Sequence, residues 1–208
     1  VATDRYLICA GGADIWGNAD EFHYAYNEVG SADIRLSMKP SWQVDGDNDW
    51  AKNEVMLRES LAAGSIHYST ATRGGGNNGP GYQGDSVFSQ RRMATDGGSG
   101  GTDWWGAIPD TLGVQRINSN GYTVLQSLVD QGTGNGWEVV HQDAFATQFA
   151  GDLLGGVAVT SHRDDNLVQA WADDVQYSTG SFIGVRAGDP LDEACGDTPG
   201  FLVSVAKL

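Results

Sequence analysis

The sequence has few cysteines, few basic residues and no long apolar run, and each scarcity excludes a class of protein. No stretch approaches the roughly 20 apolar residues that a membrane-spanning helix needs. Twelve Lys and Arg against 27 Asp and Glu give a formal net charge of -15. Nucleic-acid phosphates would be repelled by this charge, so we expect no nucleic-acid partner. The two cysteines have no CxxC spacing and cannot form a zinc site alone.

Cys9 and Cys195 lie near opposite ends of the chain. The chain begins with Val1 rather than methionine, so we expect a processed or excised piece whose targeting segment is gone. In an exported protein we expect a Cys9–Cys195 disulfide, which would stabilise the fold by about 4 kcal/mol in the chain-entropy model. Two free, buried thiols are the alternative.

Thirty glycines and short stretches of alternating polar and apolar residues favour an all-β fold. Between two of the predicted strands, Asn118-Ser119-Asn120-Gly121 predicts a tight hairpin, because Asn-Gly supplies the positive φ angles of a primed turn. Many strands of similar length with short turns indicate a two-sheet antiparallel sandwich or jelly roll. We assign residues 1–187 to this domain and residues 188–208 to a C-terminal tail that forms an edge strand or a docking segment. The predicted strands span residues 21–26, 32–38, 65–70, 86–92, 112–117, 123–130, 137–142, 155–161 and 168–177.

Residues 49–60 combine an apolar run, Val55-Met56-Leu57, with an arginine at its end. A buried strand explains the apolar run but not Arg58, since a guanidinium stays charged and is costly to bury unpaired. One interpretation is that Arg58 pairs with a carboxylate such as Glu59 or Glu21. The other is that it points into a concave sheet face and contacts a ligand.

Two predicted long loops, residues 74–85 and 96–110, carry aromatic residues on Gly-rich sequence, and long loops in a compact domain are often functional. Sugars are bound by flat aromatic faces and by planar polar side chains. We therefore predict aromatic platforms at Tyr82, Trp104 and Trp105. The alternative is that Trp104 or Trp105 caps one end of the sandwich. Trp16 and Trp50 are expected in the core. The predicted polar contacts are Arg58, Gln90, Arg92 and Arg116.

The segment Asp45-Gly46-Asp47-Asn48-Asp49 places three carboxylates at alternate positions. Calcium binds six to eight oxygen atoms, and an Asp-rich loop with glycine can wrap around the ion. The EF-hand pattern fails, because Trp50 stands where glycine is required and Met56 where the bidentate glutamate is required. A calcium site at Asp45, Asp47 and Asp49 is one interpretation, and a solvated turn is the other.

Four stretches follow one another in a recognisable order: residues 13–24 with Asp14-Ile15-Trp16, residues 50–61 with Trp50-Ala51-Lys52, residues 112–137, and residues 156–162 ending in Thr160-Ser161-His162 with the later Asp173-Asp174-Val175. In this order they resemble a bacterial and archaeal family of concanavalin A-like, laminin G-like jelly rolls, known as a domain of unknown function or under "regulation of enolase". The chain departs from the family pattern at Asn53-Glu54 and in the insertion around Trp104-Trp105.

The resemblance implies the sandwich fold but no catalytic residues. Such modules commonly accompany glycan-active or adhesive domains of secreted proteins, so the resemblance implies carbohydrate binding outside the cell or on its surface. By analogy with concanavalin-like sandwiches, whose first and last strands are neighbours, a structural calcium is expected between Asp14 or Asp20 and Asp173 or Asp174. No organic cofactor is implied.

Catalytic patterns are lacking in the sequence. No predicted strand carries the closely spaced carboxylates that glycoside hydrolysis needs, and Glu54 and Glu59 fall on opposite sides of a strand. The sequence therefore predicts a non-catalytic extracellular module that binds a polysaccharide or glycan. A structural or adhesive surface protein that self-assembles through its C-terminal strand is the main alternative. A glycan-cleaving enzyme is the third.

Overall fold

The computed structural model describes residues 5–44, 48–74, 87–104 and 108–177. These residues form fourteen strands. The first seven are β1 (Arg5–Gly12), β2 (Asp14–Trp16), β3 (Ala19–Glu21), β4 (His23–Gly30), β5 (Ile34–Val44), β6 (Lys52–Arg58) and β7 (His67–Arg73). The others are β8 (Val87–Arg92), β9 (Ser99–Trp104), β10 (Thr111–Ser119), β11 (Tyr122–Asp130), β12 (Glu138–Phe145), β13 (Leu153–Thr160) and β14 (Arg163–Tyr177).

The strands build two six-stranded antiparallel sheets and one hairpin. The first sheet has the order β1-β14-β5-β10-β11-β12, and the second has the order β4-β13-β6-β7-β8-β9. The short strands β2 and β3 pair with each other. The predicted all-β sandwich of jelly-roll type is thereby confirmed. Among the described residues, no helix is long and apolar enough to cross a membrane.

Residue alternation explains how the first sheet contributes to the core. In β11, buried Thr123, Leu125 and Ser127 alternate with the partly exposed Val124 and Gln126, as a strand with one solvent face requires. The buried side chains of both sheets meet in one apolar cluster, to which Leu36, Val114, Val55 and Leu57 belong. The turn between β10 and β11 is also as predicted, with positive φ angles of 51° at Asn120 and 80° at Gly121.

The second sheet differs, because β6 and β7 are buried at every residue. Their inner side chains enter the main core. Their outer side chains lie beneath the β2–β3 hairpin, where Ile15 and Phe22 pack with Met56, Tyr24 and Ala158 in a second apolar cluster. The hairpin therefore covers one face of the sandwich, and polar residues of β6, β7 and β8 lie between it and the sheet.

Several predictions fall outside the described residues. They concern Asp45, Asp47, Tyr82, Trp105, Cys195 and the tail at residues 188–208, so the Cys9–Cys195 disulfide stays a prediction. Cys9 itself is a half-buried residue of β1. The first and last described strands, β1 and β14, are neighbours, as the concanavalin analogy implies.

Candidate functional site

A cavity of about 370 Å³ opens where the hairpin leaves the second sheet. Its size falls in the range of small-molecule sites, which lies at about 300–1,000 Å³. The side chains around it are aromatic, cationic and acidic in nearly equal number. The lining residues are Asp14 and Trp16 of the hairpin, Trp50, Lys52, Arg73, Phe88, Gly101, Asp103 and His162.

The aromatic residues of the pocket present unusually large exposed surfaces. Trp16 is 42% exposed and Trp50 is 48% exposed, so neither belongs to the core, and the expectation that they are core residues is wrong. The Trp16 ring lies 6.1 Å from the buried Phe88 ring, centroid to centroid. Exposed indole faces of this size are large apolar surfaces on which a ligand can stack.

Two cations form the polar floor of the pocket, and each pairs with a carboxylate. Lys52 is 1% exposed and pairs with Asp14, and its ammonium also donates to the carbonyl of Ile15 at 3.2 Å. Arg73 is 5% exposed and pairs with Asp103. The two carboxylates lie toward solvent, with 23% of the Asp14 side chain and 40% of the Asp103 side chain exposed.

Aromatic rings hold Arg73 in place. Its guanidinium carbon lies 4.5 Å from the Trp50 ring centroid and 4.7 Å from that of Phe88. A guanidinium stacks well on aromatic faces because its charge is delocalised and weakly hydrated. Burial lowers the pKa of Arg73 from its ordinary value, yet an arginine stays protonated at any physiological pH.

His162 closes the polar network at the pocket wall. Its Nε2 lies 3.1 Å from Asp14 Oδ2, and its Nδ1 lies 3.2 Å from the side-chain amide of Asn48. With the amide donating to Nδ1, the Nε2 carries the proton and donates it to Asp14. Both ring nitrogens are therefore engaged, and His162 orients Asp14 rather than facing the cavity as a free base.

The pocket brings together stretches that are far apart in sequence. Asp14 and Trp16, Trp50 and Lys52, and His162 come from three of the four stretches that resemble the jelly-roll family. The single-sequence signal that points to this pocket is thus the distribution of those motifs. What sequence reasoning missed is that they converge: it assigned Trp16 and Trp50 to the core and Asp14 to a metal site.

A second polar cluster, which we call the Asp20 cluster (Asp20, Arg58 and Arg92), lies beneath the hairpin. Asp20 Oδ2 accepts from both Arg58 and Arg92 at 2.7 Å, and Oδ1 accepts from Arg92 at 2.6 Å. Both arginines are fully buried. Burial alone would raise the pKa of Asp20, but the Arg92 hydrogen bond and the charge of Arg58 hold it below its ordinary value.

Backbone carbonyls take up the remaining donors of the two arginines. Arg58 donates to Ser60 at 2.7 Å, and Arg92 donates to Gly97 at 3.0 Å and Ser65 at 3.1 Å. Arg58 thus pairs with a carboxylate, though with Asp20 rather than Glu59 or Glu21. Because neither arginine has accessible surface, these surroundings support a structural role and no ligand contact.

The other predicted ligand-binding residues are also dispersed. Arg116 is fully buried and donates to the carbonyls of Gly30 at 2.8 Å and Gly151 at 3.0 Å. Gln90 is fully buried and donates to the Ile15 carbonyl. Trp104 packs against the main core and donates to Glu138 at 3.1 Å, as a residue capping the sandwich would.

Among the described residues, the calcium ligands predicted at Asp14, Asp20, Asp173 and Asp174 are not brought together. Asp14 and Asp20 pair with cations of the second sheet, whereas Asp173 pairs with Arg5 at 2.9 Å in the first sheet and Asp174 accepts from Gln176 at 2.7 Å. Asp49 is half-buried in a turn. Within the described ranges, no group of three or more His, Cys, Asp or Glu side chains has a metal-binding arrangement.

Comparisons with known proteins support the fold. No family model matches the sequence, and no curated protein matches it significantly. A functionally unknown protein from Saccharomyces cerevisiae has a similar structure, with 17% identity over 86% of this chain and 89% of that chain and a TM-score of 0.56.

Two glycan-related structures are more remote. One comes from work on endo-acting O-glycanases of the human gut microbiota, with 10% identity, coverage of 83% and 84%, and a TM-score of 0.39. The other is the alginate lyase from Alteromonas sp. 272, with 9% identity, coverage of 83% and 86%, and a TM-score of 0.36. The chain is a two-sheet jelly-roll sandwich, and these likenesses give no function.

Proposed function

We propose that this domain is a non-catalytic carbohydrate-binding module whose ligand enters the pocket between Trp16 and Trp50. The observation that carries the proposal is the pairing of two half-exposed indoles with a polar floor in one cavity. A sugar ring presents apolar C–H faces and polar hydroxyls, so it needs both kinds of surface from its site.

Binding rather than catalysis is supported by the state of the titratable groups. A general base must take up a proton, which an ion pair with a buried cation disfavours. In the pocket both carboxylates, Asp14 and Asp103, pair with buried cations, and His162 has both nitrogens engaged. Glu54 is fully buried beneath the hairpin, so it cannot contact a ligand in the pocket.

We further propose that the domain acts outside the cell or on its surface, as the module of a larger secreted protein. Calcium stays part of the proposal only at Asp45, Asp47 and Asp49, two of which lie outside the described residues. The alternative of self-assembly rests on residues 201–205, which also lie outside them.

The test is binding of the purified domain to a panel of soluble and insoluble polysaccharides, with calcium and with a chelator. We expect saturable binding that falls about tenfold or more in Trp16→Ala and in Trp50→Ala, because each loses a stacking surface. Melting temperatures should change little, since both indoles are half exposed.

The matched control is Tyr122→Ala, which removes an aromatic side chain 54% exposed on β11. It should leave binding unchanged. Equal losses in all three variants, or a blank across the panel, would show that the pocket is not a carbohydrate site.

A further inference from the structure

The pairing of charges in the pocket bears on whether the bound sugar is neutral or acidic. Lys52 and Arg73 are the cations among its described lining residues, and each already has a carboxylate partner. Asp14 neutralises Lys52 and Asp103 neutralises Arg73. The two pairs together contribute no net charge to the cavity.

An anionic sugar would meet unfavourable terms at this site. Its carboxylate or sulfate would have to displace Asp103 or Asp14 from a buried cation, and the displaced carboxylate would remain beside it. Like charges that close together repel each other, as is general for mismatched interfaces. The formal net charge of -15 adds long-range repulsion of an acidic polysaccharide.

A neutral sugar meets the opposite situation, because a hydroxyl group both donates and accepts hydrogen bonds. The Asp14 and Asp103 carboxylates at the rim accept. On the floor, the Lys52 ammonium has three N–H groups, of which Asp14 and Ile15 engage two. The cavity thus offers carboxylate acceptors at its rim and an ammonium donor at its floor, as a hydroxyl group requires.

Resting on the carbohydrate-binding function proposed above, we infer that the pocket takes a neutral pyranose with neighbouring free hydroxyls and rejects the corresponding uronic acid, with Asp103 setting this preference. Stacking on Trp16 and Trp50 is common to both sugars. Discrimination comes from Asp103, which occupies the guanidinium that a ligand carboxylate would otherwise bind.

The experiment compares pairs of oligosaccharides that have the same linkage and anomeric configuration and differ only at C6: galactan with galacturonan, mannan with mannuronan, and glucan with glucuronan. Titration calorimetry at about 50 and about 500 mM NaCl gives Kd for each, since salt screens charge–charge attraction. We expect one neutral member to bind at least about tenfold tighter than its uronate partner. Its Kd should change less than about twofold with salt, because no net charge is neutralised on binding.

The variant Asp103→Asn sharpens the test. It leaves Arg73 without its carboxylate, so the uronate should bind at least about tenfold tighter than to the wild type at low salt, and the ratio of the uronate Kd to the neutral-sugar Kd should fall accordingly. Asp110→Asn is the matched control. It removes an equally exposed carboxylate that pairs with Lys39 at 3.0 Å and lies outside the pocket, and it should change neither affinity.

The outcomes separate the two proposals. The preference for neutral sugars is overturned if the wild-type domain binds a uronate as tightly as its neutral partner. It is also overturned if Asp103→Asn leaves uronate binding unchanged. In both cases the pocket is still a carbohydrate-binding site. If no oligosaccharide of any pair binds, the carbohydrate-binding function itself is refuted, and the preference falls with it.

Discussion

The β2–β3 hairpin carries two aspartates, Asp14 and Asp20, that both pair with buried cations of the second sheet. The two ion pairs have opposite consequences, because one is closed to solvent and the other is open to it. At Asp20 the arginines are fully buried and their donors reach carboxylate and backbone oxygens, so the cluster is closed. At Asp14 the cation is buried but the carboxylate is partly exposed beside two half-exposed indoles. A buried ion pair therefore marks a site only where one partner still reaches solvent.

The histidines of these two regions also differ, in whether their ring nitrogens have hydrogen-bond partners. His67 lies under the hairpin near the Asp20 cluster, is fully buried, and has no partner for either ring nitrogen among the described residues. Burial lowers its pKa to about 3, so it is neutral in the folded protein. His162, at the pocket, has partners at both nitrogens. The histidine of the closed region is thus buried and unpaired within the described ranges, whereas the histidine of the open region is held at both nitrogens.

The largest loss of stability should come from removing the carboxylate of the Asp20 cluster. Asp20→Ala leaves two buried guanidinium groups without their carboxylate, which should cost about 3–5 kcal/mol of unfolding free energy, as measured by urea denaturation. Asp165→Ala, which breaks the exposed pair with Arg163, is the control and should have little effect. A small loss for Asp20→Ala would mean that water reaches the arginines and that the cluster is not closed.

An effect of intermediate size should come from Glu54, whose Oε2 accepts from Ser69 at 2.5 Å beneath the hairpin. Burial raises the pKa of Glu54 to about 7, above its ordinary value of 4.5. The folded protein therefore holds this proton where the unfolded chain has lost it, and stability falls as pH rises from about 4.5 through about 7.

Glu54→Gln removes this titration, so it should match the wild type near pH 4 and become more stable than it by on the order of 3 kcal/mol above pH 8. Urea unfolding across pH 4–9 measures the difference, and the effect of His67 cancels because both proteins contain it. Glu28→Gln, at an exposed carboxyl, serves as the control. A difference independent of pH would show that Glu54 is solvated.

The smallest effect on stability should come from the open region. His162→Asn shortens the side chain beyond reach of Asp14, and asparagine tolerates the positive φ of 57° at this position. Loss of the contact should cost about 1 kcal/mol, since Lys52 still holds Asp14. Sugar binding should weaken at the same time. A stability loss as large as that of Asp20→Ala would mean that the pocket is as closed as the cluster.

The fold was largely predictable, because alternation in β5, β10 and β11 and the Asn120-Gly121 turn are local signals. The position of the β2–β3 hairpin over the second sheet was not predictable. Its strands β2 and β3 are three residues long, too short to show a period, and the charged outer face of β6 reads as solvent-exposed when the hairpin is unknown. Arg58 was the one residue whose conflict with a buried strand was visible, and Asp20 resolves it.

The pocket was harder to predict for a physical reason. Tryptophan is apolar, so Trp16 and Trp50 are assigned to a core unless their neighbours in space are known, and those neighbours come from β6, β7, β8 and β9. The pairing of Lys52 with Asp14 and of Arg73 with Asp103 likewise depends on long-range packing. Proximity to Gly-rich loops favoured Trp104, which instead caps the sandwich through Glu138.

The anchoring of the hairpin also bears on the order of folding. Asp20 is held by Arg58 and Arg92, which follow it by 38 and 72 residues, and both arginines are positioned only once β6, β7 and β8 have paired. Contacts of such sequence separation form late, because closing the chain between them is entropically costly. We expect β6, β7 and β8, which are consecutive in the chain, to pair first and the hairpin to dock on them afterwards, so that a late kinetic phase reports the moment at which their polar face becomes dry.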